Sequence, residues 1–198
     1  MKILIATSNP GKIIEIRALL KALPVDLIMP KEIEILTIPE ETGSTYTENA
    51  MLKARFYFKY SRLPTLADDT GLEIDLLGGQ PGLQSARFSP IRNASDADRR
   101  KLLLEKLAGS PKPWTAHFIC TVALVDSNGE IYTAKGQCDG EIIAEERGNN
   151  GFGYDPLFLF PHLGKTMAEL DLDEKNQISH RALAIKAIFP RLSKMLSV

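Results

Sequence analysis

Two adjacent carboxylates, Asp68 and Asp69, directly follow the apolar run Thr65–Ala67. Thr70 and Gly71 come next and predict a turn before a second apolar stretch. Acids at the end of a buried strand, beside a turn, are typical of reactive sites in α/β proteins. Neighbouring carboxylates repel each other and lose hydration when buried, so they require a metal ion, a cation or a raised pKa. The alternative interpretation is a solvated turn, because Asp is common in turns.

The N-terminal segment predicts a strand followed by a helix. The apolar run Ile3–Ala6 is broken by turn-forming residues at 8–11, and apolar residues recur at helical spacing from Lys12 onward. A helix start after such a turn favours anions through its backbone N–H groups and its dipole, and Lys12 adds a positive charge. The Walker A spacing is absent, and an ordinary β–α turn explains the pattern about equally well.

A glycine-rich stretch at 148–156 contains two aromatic residues, Phe152 and Tyr154, and the acid Asp155. Glycine lets a backbone approach a ligand closely, and an aromatic ring offers a flat face to a nucleotide base. The stretch therefore predicts either a nucleotide-binding loop or a plain hairpin.

Several hydrogen-bond donors gather further along the chain. Lys175 is followed by His180 and Arg181 at the start of a helical pattern, with Ser179 as its predicted N-cap. These donors suit a ligand, although a solvated first helical turn is the alternative.

The rest of the pattern predicts an α/β fold with a mixed sheet, because helices dominate the first half and a hairpin occupies the middle. The predicted elements are a strand at 27–29, a capped helix from Thr45 to about Ser61, a helix opened by Ser95 and ending near Leu107, a hairpin of 115–125 and 130–137, a strand at 141–145, a short helix at 166–170, and a last helix at 181–195 that Pro190 kinks or ends.

Composition excludes several classes of protein. The 198 residues are 44% hydrophobic and 25% charged, which predicts one globular domain over 1–198 with a candidate lobe junction at 109–114. A net charge of −1 argues against nucleic acid as a partner. Two cysteines and three widely spaced histidines make a zinc site improbable. No apolar run is long enough to span a membrane, so we expect a cytoplasmic protein.

Six segments together resemble one known family. They are similar, in order and spacing, to the Ham1-like inosine/xanthosine triphosphate pyrophosphatases, and the resemblance covers nearly the whole chain. The segments are ATSNPGK (6–12), TYTENAMLKA (45–54), LADDTGLEID (66–75), GGQPGLQSARFS (78–89), GFGYDPLF (151–158) and ISHRALA (178–184).

The resemblance implies an activity and an architecture. The implied enzyme cleaves ITP, dITP and XTP to the monophosphate and pyrophosphate with Mg²⁺. The implied fold is a long mixed sheet flanked by helices, related to the Maf fold. It has two lobes with the active-site cleft between them and forms a homodimer.

The resemblance also implies roles for individual residues. Asp69 is the implied catalytic base and a metal ligand, with Glu41 as its partner and Asp68 as a candidate third ligand. For Glu41, the alternative is an acid placed near a helix start by the dipole. The implied substrate-binding residues are Thr7, Ser8, Asn9, Pro10, Gly11, Lys12, Lys53, Thr70, Phe152, Gly153, Tyr154, Asp155, Lys175, His180 and Arg181.

These residues divide between the two ends of the substrate. Ser8, Asn9, Lys12 and Lys53 are expected to hold the triphosphate. Lys175, His180 and Arg181 are expected to donate to the purine 6-keto oxygen, while Phe152 or Tyr154 stacks on the ring. The alternatives are a Maf-like pyrophosphatase of modified pyrimidine nucleotides, whose motifs are not seen, and a non-catalytic nucleotide-binding protein.

Overall fold

A computed structural model describes residues 1–196 and begins with the predicted strand–helix pair. Strand β1 (Lys2–Ile5) leads into helix α1 (Pro10–Leu20). Asn9 caps the helix by accepting a hydrogen bond from a backbone N–H of the first turn, and proline suits the first helical position because it has no N–H to leave unpaired. The predicted second strand follows as β2 (Asp26–Ile28).

The strand that carries the two acids is longer than predicted. Helix α2 (Tyr46–Ser61) is capped by Thr45 as predicted, and strand β3 (Thr65–Ile74) follows it. Thr70 and Gly71 lie inside this ten-residue strand, so the predicted turn after the acids is wrong. β-Branched threonine suits extended backbone, and the apolar residues after it continue the buried strand.

The middle of the chain forms the predicted helix and hairpin. Helix α3 (Asp96–Leu107) begins at the predicted Ser95 cap. Strands β4 (Trp114–Val125) and β5 (Ile131–Ile142) follow, joined by a tight turn. The separate strand predicted at 141–145 is wrong, because its first two residues complete β5 and the others are not in a strand.

The last part of the chain contains elements that the sequence pattern does not predict. These are strands β6 (Phe158–Phe160) and β7 (Lys165–Thr166) and helix α4 (Leu172–Ile178). The predicted last helix, α5 (His180–Leu196), continues through Pro190. Short 3₁₀ helices lie at Pro30–Ile33, Asp75–Leu77, Gly82–Arg87, Asp155–Leu157 and Met167–Glu169, the last at the predicted short helix.

The seven strands of the described residues form one mixed sheet in the order β2–β1–β3–β4–β5–β6–β7. Strand β1 pairs in parallel with β2 and β3, whereas β6 pairs antiparallel with β5 and β7. The predicted α/β fold class with a mixed central sheet is confirmed. Among the described helices, none has both the length and the apolar character needed to cross a membrane.

The connector at 109–114, our candidate lobe junction, lies inside one of two compact units into which the chain divides. The predicted cleft between two lobes stays a prediction. Of the described residues, the first unit comprises 1–70, 120–136 and 180–196, and the second comprises 71–119 and 137–179.

Each unit has its own apolar core. In the first unit, α1 and α5 pack on the face of β1 that carries Ile3 and Ile5, whereas α2 packs on the face that carries Leu4. Burial on both faces explains why this strand has a continuous apolar run. In the second unit, α3 packs on a core that includes Trp114 and Phe158.

Candidate functional site

Three predicted site residues from separate parts of the chain meet in the first unit. The Nζ atom of Lys53, on α2, donates to Oε1 of Glu41 at 2.9 Å and to Oδ1 of Asp69 at 3.0 Å. Lys53 and Asp69 are buried, and Glu41 is half-buried in the loop before α2. Two carboxylates thus converge on one positive charge, and Glu41 is more than an acid near a helix start.

A fourth residue in this group, Asn49, is absent from the predicted site. Its Nδ2 donates to Oδ2 of Asp69 at 3.4 Å, and its Oδ1 accepts from the backbone N–H of Gly43 at 2.7 Å. Asn49 therefore ties the loop that carries Glu41 to the acid on β3. Its sequence signal is its position four residues before Lys53, which places both side chains on one face of α2.

The first acid of the pair has different partners. Oδ2 of Asp68 accepts from Nζ of Lys12 at 2.9 Å, from Nε of Arg181 at 3.2 Å and from Oγ1 of Thr70 at 3.0 Å. Arg181 also donates through Nη1 to Glu15 on α1. Glu15 is buried and is absent from the predicted site, because an acid within a helical pattern looks like a surface residue.

The surroundings of the two acids push their pKa values apart. Burial raises the pKa of Asp69 above its ordinary value, and Lys53 offsets this effect only in part. Burial also acts on Asp68, but the charges of Lys12 and Arg181 hold the pKa of that carboxyl well below its usual range. Such a separation assigns different tasks: Asp69 is able to accept a proton, whereas Asp68 remains an anion. Both acids are buried, which excludes the solvated-turn interpretation.

The predicted phosphate loop forms the start of α1. Oγ1 of Thr7 accepts from the backbone N–H of Asn9 at 3.2 Å, and Oδ1 of Asn9 accepts from the N–H of Lys12 at 3.1 Å. The amide oxygen of Asn9 thus serves the cap, while Ser8 is exposed. An exposed loop at a helix start, beside a lysine, is able to bind a phosphate.

The glycine-rich stretch in the second unit brings three predicted residues together. Oδ2 of Asp155 accepts from Nζ of Lys175 at 2.6 Å and from the backbone N–H of Phe152 at 2.9 Å. Nζ of Lys175 also lies 5.2 Å from the centre of the Phe152 ring. Gly151 has φ 75°, and a Cβ added there would lie 2.0 Å from Oδ2 of Asp155, so the loop requires glycine.

Tyr154 differs from its predicted role. It is only 4% exposed, packs in the core of the second unit, and donates from its hydroxyl to the carbonyl of Ser85 at 3.0 Å. A ring held in the core is not available to stack on a base, so of the two aromatics the half-buried Phe152 is the better candidate.

The neighbouring Gly153 is held by two residues that the sequence does not single out. Its backbone N–H donates to Oδ2 of Asp96 at 2.7 Å, and its carbonyl accepts from Nη1 of Arg100 at 2.8 Å. Both side chains come from the first turns of α3, so this helix fixes the backbone of the loop.

His180 and Arg181, at the start of α5, are both buried, which excludes the solvated-turn interpretation. A Cβ added at Gly136, on β5, would lie 2.2 Å from the carbonyl oxygen of His180 and 2.3 Å from the N atom of Ala184. The first turn of α5 therefore lies directly on the backbone of β5. The side chain of Arg181 is 0% exposed, and its guanidinium group contacts Asp68 and Glu15. Its predicted contact with the base stays a prediction.

The fold and the clustered acids and lysines define an α/β protein with a charged candidate site. The chain belongs to the Ham1 family, whose model matches residues 3–191. The resemblance drawn from the six segments is thus confirmed.

Individual relatives match over almost their whole length. A dITP/XTP pyrophosphatase from Exiguobacterium sibiricum is 46% identical over 99% of this chain and 99% of its own. One from Haemophilus ducreyi is also 46% identical, over 96% and 98%. The structure of a HAM1 protein from Coxiella burnetii superposes with a TM-score of 0.87 at 42% identity, covering 98% of this chain and 99% of that one.

Proposed function

We propose that this protein hydrolyses ITP, dITP and XTP to the nucleoside monophosphate and pyrophosphate. The observation that carries the proposal is the convergence of Glu41 and Asp69 on Lys53, in a chain whose relatives are named dITP/XTP pyrophosphatases. Such a group supplies both a base and positive charge for phosphate hydrolysis.

The donor set suits a divalent cation, which we propose to be Mg²⁺. Among residues 1–196, no group of three or more His, Cys, Asp or Glu side chains is placed to hold a metal ion. Mg²⁺ does not need such a cage, because it usually binds through one or two carboxylates together with substrate phosphates. Glu41 and Asp69 would hold it. When bound, it would neutralise phosphate charge and make a bound water more acidic.

Asp69 acts on the water that attacks the α-phosphorus. It accepts a proton as the new P–O bond forms, while the bond from phosphorus to the bridging oxygen breaks and pyrophosphate leaves. Without a bound cation, burial raises the pKa of Asp69 above its ordinary value, which makes the carboxylate a better base. A bound Mg²⁺ would lower the pKa of Asp69 and would instead make the attacking water more acidic. Lys12 and Lys53 hold phosphate oxygens, since an ammonium group has three N–H donors and the described carboxylate contacts use only one or two of them.

Lys175 and Phe152 select the base. A lysine donor matches the 6-keto oxygen of hypoxanthine or xanthine, whereas the 6-amino group of adenine is itself a donor and offers the lysine no acceptor at that position. Asp155 fixes the position of that lysine.

Product analysis tests the proposal. With ITP or XTP and Mg²⁺, we expect pyrophosphate and a monophosphate in equal amounts, and little turnover of ATP. Release of orthophosphate with a diphosphate would overturn the proposed reaction. Turnover of modified pyrimidine triphosphates alone, or binding without turnover, would favour the two alternatives, which the comparisons do not support. The expected homodimer and cytoplasmic location stay predictions.

A further inference from the structure

Two side chains of helix α2 hold the loop that carries Glu41 against strand β3. Lys53 does so with its charge, because its ammonium group donates both to Glu41 and to Oδ1 of Asp69. Asn49, one helical turn earlier, does so with a neutral amide. Its Nδ2 donates to Oδ2 of Asp69 at 3.4 Å, and its Oδ1 accepts from the backbone N–H of Gly43 at 2.7 Å. The two oxygens of Asp69 are therefore each bonded to a different residue of the same helix.

The loop lies against the start of α2 without room for a side chain at Gly43. A Cβ added there would lie 2.7 Å from Oδ1 of Asn49, 2.7 Å from Cβ of Glu48 and 3.0 Å from the backbone N of Asn49. The last two atoms are fixed by the helix and do not move aside as the end of a flexible side chain does. Ser44 adds a second anchor, since its backbone N–H donates to Oε2 of Glu48 at 2.7 Å. The loop is thus held to the helix two residues after Glu41.

Asn49 is suited to hold the two acids whether or not a cation is bound. It is 2% exposed, and hydrogen bonds away from water are strengthened by the low dielectric. The amide carries no charge and does not repel a divalent cation, whereas the ammonium group of Lys53 does. Partners that orient metal ligands in this way typically account for roughly 10- to 100-fold of metal affinity.

We infer that Asn49 and Gly43 are positioning residues that fix the separation of Glu41 and Asp69 for a divalent cation. Asn49 holds Asp69 directly, and Gly43 lets the loop of Glu41 come close enough to bond to Asn49. The inference rests on the proposed function only in taking Glu41 and Asp69 as ligands of that cation.

Cation binding tests this inference without requiring turnover. We would titrate Mn²⁺ into the wild type, Gly43→Ala and Asn49→Ala in the presence of the α,β-methylene analogue of ITP. The electron paramagnetic resonance signal of free Mn²⁺ gives Kd. We expect Kd to be weaker by roughly tenfold or more in each variant. Thr42→Ala, at an exposed position of the same loop, should bind Mn²⁺ like the wild type. Circular dichroism checks that each variant is folded.

Combination with Glu41→Gln shows whether Gly43 acts through Glu41. Gly43→Ala should weaken Mn²⁺ binding by less than about twofold in that background, because the ligand that it displaces has already lost its charge. An equal loss in both backgrounds would overturn the inference. Wild-type affinity in Gly43→Ala or Asn49→Ala would also overturn it, as would a wild type that binds no Mn²⁺. If one of these two variants does not fold, the affinity of the other is judged by the same criterion.

Pyrophosphate release separates this inference from the proposed function. A wild type and variants that bind Mn²⁺ in the expected pattern, without cleavage of any triphosphate, would refute the proposed function and leave the inference intact. Cleavage of ITP by the wild type, together with unchanged Mn²⁺ affinity in both variants, would refute the inference alone. The Mg²⁺ concentration that gives half-maximal turnover should rise in Gly43→Ala, and an unchanged concentration would contradict the positioning role.

Discussion

At the scale of single residues, Asp68 and Asp69 are neighbours in sequence with unlike surroundings. Asp68 contacts Lys12 and Arg181, whereas Asp69 shares Lys53 with Glu41. Successive side chains of a strand point to opposite faces, so adjacent residues meet different helices. The strand thereby separates a permanent anion from a proton acceptor.

Replacing Asp69 by asparagine should remove the proposed base and keep the shape of the side chain. Asp69→Asn is expected to lower kcat about 10²-fold or more, with a smaller effect on substrate binding. Pyrophosphate release under saturating Mg²⁺ measures kcat, and circular dichroism checks that the variant is folded. Near-normal turnover would place the base elsewhere, with Asp68 as the next residue to examine.

Replacing Lys53 and replacing Lys175 should have different kinetic effects. Lys53→Ala is expected to lower kcat/KM for ITP and ATP by similar factors, because it removes a phosphate contact. Lys175→Ala should lower the ITP/ATP ratio about tenfold or more, the scale of an unpaired buried donor. Steady-state assays with both substrates measure the ratio, and the opposite pattern would exchange the two roles.

At the scale of elements, helices position the site through close backbone contacts. The first turn of α5 lies on β5 at Gly136, and the first turns of α3 hold Gly153. Each element thus fixes a short segment that carries candidate site residues. Both contacts predict consequences for particular substitutions.

Gly136→Ala should displace the start of α5. The added Cβ would lie 2.2 Å and 2.3 Å from backbone atoms of α5. Backbone atoms of a helix do not move aside as the end of a flexible side chain does. We expect a loss of about 1–3 kcal/mol in the free energy of unfolding, measured by urea titration. Lys135→Ala, on the exposed face one residue away, should change it by less than about 0.5 kcal/mol. Equal effects would contradict the close approach.

Asp96→Ala should loosen the glycine-rich loop. Its carboxylate accepts from the N–H of Gly153, next to Phe152. We expect KM for ITP to rise about tenfold, with kcat changed by less than about twofold, because the loop orients the base and not the reacting phosphate. Lys101→Ala, exposed on the same helix, is the control. An unchanged KM would show that Arg100 alone suffices to hold the loop.

At the scale of the whole molecule, stability depends on the ionisation of buried acids. The chain carries a net charge of −1, so a phosphate ligand depends on local lysines and not on a general positive field. Buried charged side chains of the first unit pair with one another, as Arg181 does with Asp68 and Lys53 does with Asp69. Their contribution to folding therefore varies with pH.

The free energy of unfolding should fall in acid as Asp68 becomes protonated. Its folded pKa lies below the unfolded value, because Lys12 and Arg181 favour the anion in spite of burial. The stabilisation is therefore complete above the unfolded pKa, about 3.9, and falls as pH drops below it, by about 1.4 kcal/mol per pH unit. Urea titrations between pH 5 and 3 should show a steeper slope in the wild type than in Asp68→Asn. Equal slopes would mean that Asp68 is not held as an anion.

The sequence by itself determined the locally encoded parts of this protein. The turn-forming residues at 8–11, the caps at Thr45 and Ser95 and apolar periodicity located the first three helices, because these signals act within a few residues. Six segments in order identified the family and, with it, the group of Glu41, Lys53 and Asp69. None of these conclusions required knowledge of distant contacts.

Only the tertiary structure decided which side chains the site uses and how. Arg181 pairs with Glu15 across 166 positions of the chain, and no local pattern encodes such a partner. Tyr154, beside Phe152 in the same loop, lies in the core, because packing against distant elements decides which ring stays accessible. Local propensity locates helices and strands, but burial and charge pairing depend on elements that meet only after folding.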